Sequence, residues 1–142
     1  MKRVLRNAMV LAILATSAPA EERAVFDISL LGLRAATLSF AGVVQGRDYA
    51  ASGQLRSTGI ARIVARVSFD AQVRGVLRGT RFQPRQYTER AVTDDRASAG
   101  SVRYAGRTPQ DKVYNPPRAV DQHGVAARTQ SGTIDPMTVI FA

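Results

Sequence analysis

From Phe69 to Thr80 the chain alternates: Phe69, Ala71, Val73, Gly75 and Leu77 fall on one side, and Asp70, Gln72, Arg74, Arg78 and Thr80 on the other, with only Val76 out of step. A period of two residues is the signature of a strand that buries one face. The same pattern recurs upstream, where Phe26, Ile28 and Leu30 alternate with Asp27 and Ser29. After Gly32, a second run carries Arg34, Ala36, Leu38, Phe40 and Val44, and after Gly46 a third runs from Arg47 to Leu55 around Tyr49. Strand runs separated by glycine turns predict an antiparallel meander.

The period changes once before Phe69. Ile60, Ile63, Val64 and Val67 recur at helical spacing, with Arg62 and Arg66 on the opposite face. This predicts one short amphipathic helix, capped by Ser57 or Thr58, that packs on the apolar face of the sheet. Further strands are expected over residues 81–92 and 98–105, joined at Asp94-Asp95. Residues 107–128 read as loop because Pro109, Pro116 and Pro117 each deny a ladder its donor. The expected fold is a mainly β domain: a curved antiparallel sheet or partial barrel with one short helix. Near the end, Asp135-Pro136 offers a cap acceptor and a residue suited to the first helical turn, ahead of Met137, Thr138, Val139, Ile140 and Phe141. A helix of that length is not self-supporting, so the domain, residues 21–142, is expected to be incomplete at its C-terminus.

Residues 1–20 have the three parts of an export signal: basic Lys2, Arg3 and Arg6, an apolar run from Ala8 to Ala15, and small residues at Ala18-Pro19-Ala20. Cleavage is expected after Ala20, and the apolar run is too short to span a bilayer. The expected location is therefore the periplasm, with no transmembrane segment in the exported chain. That chain has no cysteine, which removes disulfides, thiol chemistry and thiolate metal sites. Three of the 20 basic residues lie in the signal, leaving 17 against 11 acidic ones. Lys112 is the only lysine among the 17, and the arginines are spread along the sequence without interleaved aromatics. That spread argues against nucleic acid, which favours a concentrated basic patch and stacking platforms. Anionic lipid or an acidic envelope polymer stays open as a partner.

The residues that usually carry catalysis are sparse. His123 is alone and in a loop context, and a metal centre needs further nitrogen or sulfur ligands. Asp94, Asp95, Asp121 and Asp135 stand at turn or cap positions, where aspartate has a structural reason to be. No nucleophile elbow surrounds Ser101 or Ser131, and Gly75 and Gly79 lack the Lys-Ser or Lys-Thr of a phosphate loop. No catalytic residue, metal or cofactor is expected.

The run Gln130-Ser131-Gly132-Thr133-Ile134-Asp135-Pro136, the Pro84-x-x-Tyr87 element and Gly32-Leu33-Arg34 together resemble an exported bacterial family, domain of unknown function 3108. Tyr49 with Gly53, and Ser57-Thr58-Gly59, add to the likeness. The resemblance implies an envelope protein, largely antiparallel β, with no catalytic residues to carry over. Relatives continue past the apolar helix into further strands, which again suggests a short C-terminus here.

The leading expectation is a non-catalytic binding or scaffold module. Its apolar face, lined by Phe26, Ile28, Leu38, Phe40, Phe69, Val73 and Leu77, takes a lipid or another amphiphile, or is simply packed as core. The alternatives are a periplasmic hydrolase, with Asp121, His123 and Asp135 converging in a polar cleft, and an anionic-polymer-binding protein, with the arginines gathered on one surface.

Overall fold

The computed structural model describes residues 20–117 and 125–142. The expected export signal up to residue 19, and both Asp121 and His123, lie outside the described residues.

Seven strands form one antiparallel sheet in strict sequential order. They are β1 (Ala20–Leu30), β2 (Leu33–Gln45), β3 (Asp48–Ser57), β4 (Val67–Arg78), β5 (Arg81–Thr93), β6 (Arg96–Ala105) and β7 (Thr108–Asn115). The turns fall at Leu31-Gly32, Gly46-Arg47, Gly79-Thr80, Asp94-Asp95 and Gly106-Arg107, with the helix α1 (Ala61–Val64) between β3 and β4. After β7 the chain makes a 3-10 turn over Ala127–Gln130 and ends in α2 (Pro136–Phe141).

The alternation works out as a two-faced sheet. The ladder aligns Gly42, Ala51, Val73, Tyr87 and Val102 in one row, and Phe40, Gly53, Ala71, Glu89, Gly100 and Tyr114 in the next. These rows lie on the face covered by α2. The core is Tyr49, Ala51, Ala71, Val73, Tyr87 and Met137, with Phe40, Val44, Phe69, Phe82, Val102, Tyr104 and Phe141 packed around it.

Three local expectations are corrected. Residues 108–115 are a strand and not loop, because β7 is the edge of the sheet and Pro109, near its start, sits where a missing donor costs little. The helix α1 has Ile60 at its N-cap position with no side-chain cap, in place of Ser57 or Thr58. Nor does α1 pack on the apolar face, since Ile63 and Val64 are 85% and 81% exposed. It lies at the sheet end beside the β1–β2 turn, where the Thr58 N–H donates to the Ala35 carbonyl at 2.9 Å. The helix that covers the sheet is α2.

Candidate binding cleft

Helix α2 can lie close to the sheet because the strands beneath it present very small residues. A Cβ on Gly42 would stand 2.1 Å from the Phe141 ring, and one on Gly53 would stand 2.9 Å from the Met137 sulfur. Glycine at these two positions therefore makes room for the two apolar side chains by which α2 grips the sheet. Phe141 joins an aromatic cluster with Tyr49 and Phe82, in which the Tyr49 and Phe82 rings meet edge to face at 5.0 Å.

A buried polar relay fixes the helix start. The Asp135 side chain accepts from the Thr138 N–H at 2.8 Å and from the Thr138 hydroxyl at 2.7 Å. The hydroxyl's one proton is thereby committed, so at 2.7 Å the Tyr49 phenol donates to Thr138. Asp135 and Thr138 are 3% and 0% exposed, which makes this relay the polar centre of the covered face. Burial raises the Tyr49 phenol to about 12 and Tyr104 to about 12, with the Asp135 charge adding to both. Burial and the hydrogen bond to Glu89 push Tyr87 higher still.

The segment before α2 is strapped to the β6–β7 turn. Gly132, at φ +88°, donates its N–H to the Arg107 carbonyl at 2.8 Å, a backbone geometry that glycine adopts readily. The Gln130 side-chain amide donates to the Val125 carbonyl and accepts from Lys112, while the Thr133 hydroxyl donates to the Gln130 carbonyl at 2.8 Å. Gln130, Gly132, Thr133, Asp135 and Pro136 thus share one structural task, which is to deliver α2 onto the sheet.

Pro84 and Tyr87 are three residues apart, a spacing that would place them on opposite faces of a regular strand, yet both are buried. The reason is a β-bulge: Arg74 pairs with Gln86 and Gly75 with Pro84, so Arg85 is an extra residue and the parity shifts by one. Gly75 admits the bulge because a Cβ there would stand 2.3 Å from the Gln83 carbonyl oxygen.

Beside α2 the covering stops. Between the helix and β1–β2 lies a cleft of about 320 Å³, with walls that include Phe26, Phe40, Gly42, Met137, Ile140 and Phe141; Glu22, in register with Gly42, shares the same face, whereas Arg23 pairs with Glu21. Phe26 and Phe40 meet edge to face at 6.2 Å across its floor, and Phe26 remains 53% exposed although it points to the covered side.

All seven residues expected to line an apolar face share that face by register, but the cleft uses only Phe26 and Phe40. Val73 is sealed in the core at 1% exposure, Phe69 packs against the core, and Ile28, Leu38 and Leu77 do not line the cleft. Sequence reasoning left out Met137, Ile140 and Phe141, whose helical spacing was the available signal. Of the carboxylates considered for catalysis, Asp135 is occupied as the helix cap. Asp94 lies in the β5–β6 turn, where its side chain accepts from the Arg66 N–H at 2.9 Å. Among the described residues no three His, Cys, Asp or Glu side chains come together, and no helix is long and apolar enough to cross a membrane. No family model matches the chain, and neither the curated proteins nor the solved structures yield a significant match.

Proposed function

We propose that this protein is an exported, non-catalytic binding module of the cell envelope that holds the apolar chain of an amphiphile in the cleft beside α2. The observation that carries the reading is an inward-facing apolar wall with no covering side chain, bounded by Phe26 and Phe40 on the sheet and by Met137, Ile140 and Phe141 on the helix. The volume is at the small end of ligand sites, which suits one acyl chain more than a multi-chain lipid. The exposed Glu22 carboxylate, on the covered face in register with Gly42, matches an occupant with a polar head. Export to the periplasm and kinship with domain of unknown function 3108 belong to the same reading. Some residues of the resemblance serve the seat of α2: Gly53 makes room for Met137, Tyr87 shares the core with Met137, and Asp135 caps the helix.

The test is displacement of a fluorescent apolar probe from the purified chain by a single-chain lysophospholipid. Replacing Phe26→Glu puts a charge on the apolar wall and is expected to weaken binding about tenfold or more. Because Phe26 is half exposed, its thermal melt should barely move. Unchanged lysophospholipid affinity in that variant sinks the cleft as the binding site.

A further inference from the structure

The sheet face opposite α2 carries a second feature. Arg74 and Arg78 project from it, alternating with the inward Val73, Gly75 and Leu77. The bulge adds Arg85, whose side chain lines the same ground, and the Leu77 N–H donates to the Arg47 carbonyl at 2.7 Å, which ties the β2–β3 turn and Arg47 alongside. A depression of about 520 Å³ at this end is lined by Arg47, Arg78 and Arg85. It shares Arg85 and Asp48 with a neighbour of about 410 Å³, and that one shares Arg74 and Gln86 with a third of about 260 Å³. The three form a continuous track along β4. None of Arg47, Arg74, Arg78 or Arg85 has a carboxylate at ion-pair distance among the described residues, whereas Arg23, Arg34 and Arg56 are each paired. Asp48 is the only acid lining the track among the described residues.

We propose that this track binds a linear acidic polysaccharide. Arg74 and Arg78 are four residues apart on one strand, a separation of about 13 Å, which exceeds a single oxyanion and fits successive acidic groups on a chain. Guanidinium forks meet carboxylate or sulfate groups in two-point fashion, and the Gln72 and Gln86 amides along the same track suit sugar hydroxyls. A nucleic acid is a poorer fit because, among the described residues, the track offers no exposed aromatic ring for stacking, Tyr49 being 3% exposed. A bilayer is a poorer fit because the most exposed apolar residues, Leu31, Ile63 and Val64, lie at the opposite end of the sheet, so no apolar anchor accompanies these charges.

Titration calorimetry with size-fractionated heparin oligosaccharides and with polygalacturonate tests this. Affinity should rise with chain length until the track is spanned and fall with added salt. The double variant Arg78→Gln/Arg85→Gln should lose about tenfold or more with an unchanged melt, while Arg62→Gln/Arg66→Gln, with the same charge change at the far end, should lose less than about threefold. Equal losses in the two variants, or no binding by the parent chain, overturn the proposal. So does tighter, Arg78- and Arg85-dependent binding to a single-stranded oligonucleotide or to anionic vesicles.

Discussion

Replacing Asp135→Ala removes the acceptor on which the start of α2 depends. Two bonds disappear: the cap to the Thr138 N–H and the contact from the buried Thr138 hydroxyl. A helix cap is worth about 1 kcal/mol, and a buried hydrogen bond to a charged group about 2 kcal/mol, so the expected loss is about 3 kcal/mol. Urea denaturation reads this as a midpoint lower by about 1.5 M if the slope is near 2 kcal/mol/M. Asp135→Asn keeps an oxygen for the Thr138 N–H but presents an amide to the Thr138 hydroxyl. That hydroxyl must then turn and donate toward Tyr49, leaving the Tyr49 proton without its acceptor. The expected cost is about 1 kcal/mol, similar to that of Tyr49→Phe. Asp111→Ala on exposed β7 supplies the baseline, within about 0.5 kcal/mol of the parent. An Asp135→Ala loss below about 1 kcal/mol, or Asp135→Ala and Asp135→Asn melting alike, would refute the claim that this relay holds α2 to the sheet.

Two further outcomes follow from the packing. Gly75→Ala should cost about 3 kcal/mol or more by thermal denaturation, because its Cβ would meet backbone at 2.3 Å and the Tyr49 ring at 2.4 Å. Gly79→Ala, with open space around it, should cost only the strain of its positive φ. Stability should also fall at alkaline pH. The folded state keeps the Tyr49 and Tyr104 protons up to about 12 against 10.0 for a free phenol, so their contribution is complete below 10 and lost as pH rises towards 12. Tyrosinate absorbance should therefore appear together with loss of ellipticity; ionisation of these tyrosines well before unfolding contradicts the burial.

The period-two pattern made most strands readable, because half-buried strands must alternate and β4 does so almost without exception. Asp135-Pro136 was equally plain, since a cap is a local device. What escaped the sequence depended on position in the sheet. Pro109 forbids a central strand but is harmless near the start of an edge strand, and only the pairing order reveals that β7 is the edge. The helical spacing of Ile60, Ile63 and Val64 looked like a buried stripe, yet a single turn at the sheet end has no surface to cover. The cleft was half legible: Phe26 and Phe40 stood out as apolar strand residues, but the opposite wall comes from α2, about a hundred residues further along. The track was hidden because Arg47, Arg74, Arg78 and Arg85 are dispersed in the chain and are gathered by a turn and by a bulge that no local pattern marks.

The strict order of the strands sets a sequence of events for folding. Every strand pairs with its immediate predecessor, so the sheet can grow hairpin by hairpin with short loop closures, the regime in which chains fold fast. The core cannot finish that way. The contact that seals it joins Tyr49 to Thr138, 89 residues apart, and must wait until α2 is available. Until then the glycine-floored face stands bare, and the chain is at its most vulnerable to wrong apolar partners in the interval before α2 arrives.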